Sequence, residues 1–299
     1  MSTMRAAIGL RHGVALAAAA IAVTAWLGAI APPASAISQQ THVQAELIAE
    51  KASILPARAF WVAVRLKMDR GWHTYWRNPG DAGLPTKIEW RLPDGFSSSS
   101  VQWPYPQRIE ALRQVSYGYE DEVLLLTEIT AAGALPASKP ITIGAHVDWV
   151  ECKDVCLKGA TDLQLSLPVS PEPPRSNPQW QDSFERAMAR VPLPSSPWKI
   201  RAVDHDRTIG LQMIRGGGAG GTLTGVMFFP EEPAVIDHTA SQAAMPTAGG
   251  YLLELMRSSY SEQVPKSLRG VLVCREGWVG PGSARALRVD VPIEPRGSF

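Results

Sequence analysis

Residues 141–167 read ITIGAHVDWVECKDVCLKGATDLQLSL. Ile141, Ile143, Ala145, Val147 and Trp149 alternate with polar or small residues on the way in, and Thr161, Leu163, Leu165 and Leu167 alternate on the way out. A period of two over such lengths predicts strands that bury one face. Between them stand Cys152 and Cys156, two of the three cysteines in the chain. Extended backbone would hold them roughly 13 Å apart at about 3.3 Å per residue, beyond the ~4.4–6.8 Å that a disulfide spans between Cα atoms. If they bond, the chain turns at Lys153-Asp154-Val155. A hairpin with the cysteines facing each other across its mouth accommodates both the pair and its flanks.

The same short, turn-bounded pattern recurs on both sides. Strands are expected at 42–50, 60–68, 86–90, 123–130, 141–150 and 161–167, a spacing that suits an immunoglobulin-like β-sandwich. Residues 170–178, SPEPPRSNP, contain four prolines and read as a linker. Asn177 and Pro178 then offer a helix start, with Trp180, Phe184, Ala187, Met188 and Val191 on one face before Pro192 ends it. The β pattern resumes at 199–203, 208–214, 223–229, 251–256, 270–275 and 286–291. The expected fold is therefore all-β: two immunoglobulin-like sandwiches, residues 37–169 and 198–299, joined by a Pro-rich linker and short helix over 170–197.

The leader fixes the compartment. Arg5 and Arg11 precede an apolar run from Val14 to Ala31, and Ala34-Ser35-Ala36 is a small-residue cleavage site, so residues 1–36 read as a secretory signal peptide cut after Ala36. No later stretch reaches the ~18 apolar residues of a spanning helix. Removing the leader leaves about 263 residues with 27 bases against 28 acids, a balance that favours neither nucleic acid, DNA or RNA, nor an anionic bilayer. Three cysteines over that length leave the fold to a hydrophobic core. The ten tryptophans show no regular exposed spacing and are assigned to packing. The run RGGGAGG at 215–221 lacks the Gly-Lys-Ser/Thr ending of a phosphate loop and is read as a hairpin loop.

For the cysteine pair, three chemistries start from the same letters: a structural staple, a metal site and a working dithiol. A bond closing five residues stabilises by about 2 kcal/mol in the chain-entropy model, near the bottom of the scale, and exposed disulfides exchange more readily than sequestered ones. Two thiolates in an exported protein also suit Cu(I), or zinc with histidines. The six histidines are scattered, and His146 is a lone strand residue. Cys274, in the apolar run GVLVC, is expected to be a buried strand residue.

Several stretches together carry a resemblance: GWHTYWRNPGDAGLPT at 71–86, Tyr117-Gly118-Tyr119-Glu120, the Cys152/Cys156 hairpin, and Phe228-Phe229-Pro230 with GVLVC farther on. They resemble the periplasmic N-terminal domain of DsbD-type thiol:disulfide interchange proteins, closest to the copper-sensitivity suppressor (ScsB-like) branch. The resemblance implies an immunoglobulin-like domain whose cysteine pair receives electrons from a membrane relay and reduces periplasmic thioredoxin-fold proteins, with no cofactor. It implies that Cys156 attacks and Cys152 resolves, and that Tyr75 lies near the pair as a substrate-binding residue. DsbD itself spaces its cysteines more widely, so loop geometry is not carried over. Residues 1–299 contain neither the family's membrane helices nor its thioredoxin-like domain, so a separate membrane electron donor is expected. The alternative is a copper-handling or structural module using the same thiols as ligands or staple.

Overall fold

The computed structural model describes residues 38–40, 42–111, 114–136, 139–194, 198–217, 222–261 and 265–296; the leader assigned to residues 1–36 lies outside them. The strands of the first half are β1 (Ser38–Gln40), β2 (Val43–Ala49), β3 (Ala59–Met68), β4 (His73–Gly80), β5 (Lys87–Arg91), β6 (Ser97–Ser98), β7 (Gln107–Ala111), β8 (Gln114–Glu120), β9 (Glu122–Thr130), β10 (Ile141–Cys152) and β11 (Cys156–Leu167). Helix α1 (Gln181–Met188) follows. The second half contains β12 (Trp198–Asp204), β13 (Thr208–Arg215), β14 (Val226–Pro230), β15 (Ala244–Thr247), β16 (Gly250–Met256), β17 (Ser267–Cys274) and β18 (Ala286–Glu294).

These strands form three sheets, in the orders β1-β2-β3-β9-β6, β11-β10-β4-β8-β7 with β5 also on β10, and β14-β17-β18-β12-β13-β16-β15. The described residues are thus mostly β with one short helix, and one sheet curls into a half-barrel. Every strand expected from periodicity is present with its ends moved by a few residues. The strands that periodicity missed are β1, β4, β6, β7, β8 and β15. β4 was hidden because His73, Thr74, Tyr75 and Trp76 are all buried, so no alternation exists to be read.

Burial explains the longer apolar runs as well. Val62, Val64 and Leu66 of β3, Leu125 of β9, and Ile143, Val147 and Trp149 of β10 pack into a core between the first two sheets. A second core holds Leu211, Phe228, Leu253, Leu272, Cys274 and Leu287. Neighbours in three strands divide between them: Phe228 faces the second core and Phe229 the first, Leu272 the second and Val271 the first, Leu287 the second and Ala286 the first. At these residues β14, β17 and the start of β18 form a wall buried on both faces, which is why GVLVC and VMFFP do not alternate.

Side chains from this wall reach β4. Phe229 lies edge-on to Trp76 and to Tyr117, with ring centroids at 6.4 Å and 5.0 Å. Asn78, buried, donates its amide to the carbonyls of Pro230 at 2.8 Å and Glu232 at 3.1 Å, and its own Oδ1 accepts from the Gly80 backbone at 3.1 Å. Arg77 pairs with Glu231 at 2.8 Å.

The helix differs from expectation at its start. Its regular turns begin at Gln181 with Trp180 at the cap position and no side-chain cap bond; Asn177 accepts from the backbone of Gln179 at 3.2 Å and, through its carbonyl, from Gln181 at 2.9 Å, closing the turn that leads into the helix. Phe184 and Ala187 then bury against Ile48, Ala63, Leu124 and Leu126 on the outer face of the first sheet. The proline-rich run before it is laid along residues 50–54, with backbone bonds from Ala52 to Arg175, Ser170 to Ile54 and Asn177 to Glu50.

Because Phe229 sits in the first core while its strand belongs to the third sheet, truncating it removes packing between that sheet and the first core. Phe229→Ala is expected to cost about 3–5 kcal/mol in equilibrium denaturant unfolding. A loss well under about 1 kcal/mol, the range of surface substitutions, would show that the wall is not a shared one.

Candidate functional site

β10 and β11 pair in register from Ile141↔Leu167 to Cys152↔Cys156, and the two cysteines are bonded across the hairpin mouth with Cα atoms 4.2 Å apart. The turn falls at Lys153-Asp154-Val155, closed by the Lys153 amide donating to the Val155 carbonyl at 3.2 Å. The two sulfurs have unequal surroundings. Cys152 is buried at 3% exposure, whereas Cys156 and the turn residues are exposed.

The burial of Cys152 comes from β4. Cys152 is paired with His73 and Glu151 with Thr74, and directly opposed residues of a sheet project to the same face. Two residues along β4, Tyr75 projects to that face too. Its hydroxyl lies 3.8 Å from Cys156 Sγ; a disulfide sulfur carries no proton, so the hydroxyl is the donor. Tyr75 is buried, which pushes its phenol up from the ordinary value. Its ring meets that of His73 edge-on at 5.2 Å. The loop after β4 completes the enclosure: Gly83, at φ +98°, presses against the Tyr75 ring so closely that an added Cβ would fall 2.3 Å from it.

On the opposite face the hairpin is anchored by a buried carboxylate. Glu151 accepts Trp149 Nε1 at 2.9 Å and the His42 backbone at 3.2 Å, as a buried charge requires. The His42 ring stacks on Trp72 at 3.8 Å. Trp149 lies across Gly159, its register partner, where a Cβ would stand 2.2 Å from the indole. Of the charges flanking the pair, Lys153 runs along Gly71, with its Nζ 3.5 Å from where a Cβ there would be. Beside the hairpin opens a groove of about 610 Å³, lined by Leu84, Pro85, Trp149, Lys158 and Gly159 among others. Leu84 in this groove and Val155 on the turn are exposed, at 55% and 59%.

The structure therefore brings Cys152, Cys156 and Tyr75 together and leaves Cys274 apart, buried in β17 with its thiol 3.6 Å from the Thr224 carbonyl. His146 is satisfied by Asp162 at 2.7 Å, the bond that chiefly raises its pKa. Among the described residues no group of three or more His, Cys, Asp or Glu is placed to hold a metal, and no helix is long and apolar enough to cross a membrane. Sequence reasoning missed His73 and the anchoring role of Glu151. The signal available for His73 was its spacing of two from Tyr75.

The β scaffold thus presents a disulfide at a hairpin mouth with Cys156 exposed and Cys152 shielded. Residues 40–168 match the N-terminal domain of the thiol:disulfide interchange protein DsbD. The N-terminal periplasmic domain of ScsB from Proteus mirabilis shares the fold over 85% of this chain and 95% of its own, with a TM-score of 0.59 and 19% identity. The reduced DsbD N-terminal domain of Neisseria meningitidis aligns over 44% of this chain and 88% of its own, with a TM-score of 0.24 and 13% identity. No curated protein sequence matches the chain.

The Gly83 contact gives a test of the enclosure. Gly83→Ala must move either the loop or the Tyr75 ring, and is expected to destabilise by about 1–3 kcal/mol and to speed reduction of the 152–156 bond by a small dithiol. An unchanged reduction rate with the lowered stability would show that Tyr75 does not limit access to the sulfurs.

Proposed function

We infer that the chain is a thiol:disulfide interchange protein whose Cys152/Cys156 dithiol passes electrons from a separate membrane donor to thioredoxin-fold partners in the periplasm. The observation that carries this reading is the asymmetry of the pair in a DsbD-family domain: Cys156 exposed on a turn, Cys152 buried beneath β4. In thiol–disulfide exchange the attacking sulfur must reach the partner, and its mate need only reach the attacker. Cys156 accordingly attacks, Cys152 resolves, and Tyr75 holds the exposed sulfur's surroundings in place. Leu84 and Val155 supply apolar contact for a partner at the rim. Export is supported by the leader pattern at 1–36 and by the likeness to the N-terminal periplasmic domain of ScsB. In the same reading residues 37–169 are the immunoglobulin-like redox domain, 170–197 its linker and helix, and 198–299 a second β-sandwich domain that braces it.

Two measurements test the function. Equilibrium titration against a glutathione or dithiothreitol buffer should place the potential above about −300 mV, the level below which disulfides are structural and inert. Cys152→Ala should accumulate a mixed disulfide with an oxidised thioredoxin-fold protein, and Cys156→Ala should not. Trapping by Cys156→Ala alone would reverse the roles. Trapping by neither, with a low potential, would leave the staple or copper-ligand reading in its place.

A further inference from the structure

The shielding that makes Cys152 a good second sulfur also creates a difficulty for it. Only the thiolate attacks, and a thiol sunk to 3% exposure has little water to take its proton. His73 is the residue paired with Cys152 across the β10–β4 ladder, which puts their Cβ atoms about 4.5–5.5 Å apart on the same face. Its ring is buried, is held edge-on by Tyr75 at 5.2 Å, and has no hydrogen-bond or ion-pair partner among the described residues. Its ring nitrogens are therefore not committed to another protein group and are free to take a proton. We propose that His73 is the proton acceptor for Cys152 when that sulfur resolves the mixed disulfide.

This role rests on the dithiol reading above and adds to it a second chemical group. In the first step the Cys156 thiolate attacks the partner disulfide, forms the Cys156–partner bond and releases one partner thiolate. In the second, the Cys152 thiol gives its proton to an imidazole nitrogen of His73. The thiolate so formed attacks Cys156 Sγ, closes the 152–156 bond and releases the partner's other sulfur, which recovers a proton from the imidazolium or from water. The partner gains two electrons and two protons, and the dithiol here loses them. Burial lowers the pKa of His73, which keeps the ring neutral and able to accept at neutral pH. The other titratable groups around it are the Tyr75 phenol on β4, Glu120 directly opposite on β8, exposed Asp121 after it, and Lys153 and Asp154 of the turn. Glu151 is turned to the other face and occupied by Trp149 and His42.

The test is stopped-flow mixing of the reduced full chain with a chromogenic aryl disulfide. Attack by Cys156 releases one coloured thiolate, and resolution by Cys152 releases a second in a later phase. In the wild type the second phase should hold a plateau on the acid side of the ordinary thiol ionisation, about pH 8.5, failing only below the ordinary imidazole value of about 6.5. His73→Gln and His73→Phe, the latter keeping the ring packed against Tyr75, should leave the first phase unchanged. Both should slow the second at pH 7 by at least about tenfold, as loss of a general base does, and make it fall about tenfold per pH unit below the thiol value. A second phase unaltered in rate and pH profile, in a folded variant, would overturn the role of His73 and leave the dithiol reading standing. Should neither variant fold, the wild-type profile decides: a plateau supports the role, and a steady fall below about pH 8.5 overturns it. Release of fewer than two thiolates by the wild type would overturn the dithiol reading itself.

Discussion

Phe228 and Phe229 are neighbours in one strand and belong to different cores. That division is the constraint on which the rest of the molecule depends, because a strand can do this only if both its faces are covered. The first two sheets cover one face of β14, β17 and β18, and β12, β13 and β16 cover the other. Each core is thus closed by a wall that it shares. Loss of either packing surface would expose a contiguous apolar face, which a lone soluble sheet does not tolerate. The polar seam at the edge of this wall is correspondingly specific: Asn78 is buried and donates its amide to two carbonyls at and just after the end of β14, while its oxygen accepts from Gly80, two residues along its own strand. A buried side-chain amide left unpaired costs about 1–3 kcal/mol, so this geometry fixes the register of β4 against β14 more tightly than apolar contact alone.

The consequence travels along β4 to the cysteines. The strand is pinned at its far end by Asn78 and Arg77 and in its middle by Trp76, which leaves His73 and Tyr75 as the two residues presented to the hairpin mouth. β4 pairs with β10 only through Glu151 and Cys152, the last residues before the turn. The pairing is short, but it is placed where a hairpin tip would otherwise fray. The opposite face of the tip is held by Glu151, Trp149 and His42. The turn itself is left exposed, and β10 and β11 behind it form a long in-register ladder, so the exposed sulfur is mounted on a rigid element.

How much of this was legible depended on how many faces each strand buries. β10 and β11 were readable because their alternation, Ile143, Ala145, Val147 and Trp149 against Leu163 and Leu167, reports a single buried face. The hairpin followed from the cysteine spacing taken with the alternating flanks, since a bond between Cys152 and Cys156 cannot form across extended chain. β4 and β8 were not readable as strands: Tyr117, Gly118 and Tyr119 are all buried, and Gly118 is a glycine because Thr74's carbonyl would stand 2.1 Å from any Cβ there. Those residues stood out as a motif for the same reason that they failed as a pattern. The regular helix starts later than expected, at Gln181, because Pro178 to Trp180 form a turn closed by Asn177. Tyr75 was placed near the pair by resemblance, while His73 was passed over because pairing across strands cannot be read from one strand.

Accessibility and reactivity are set by different parts of this arrangement. The exposed sulfur owes its exposure to a three-residue turn, and local sequence suffices for that. The buried sulfur owes its burial to β4, whose position is set by Asn78 and Phe229, on the far side of Trp76. A change in the wall therefore acts on Cys152 and leaves Cys156 on its turn. Exchange needs both sulfurs in succession, one that partners can reach and one that only its neighbour can reach. A hairpin alone supplies the first. The second requires a covering strand held at a fixed height above the tip, and the shared wall is what holds it there.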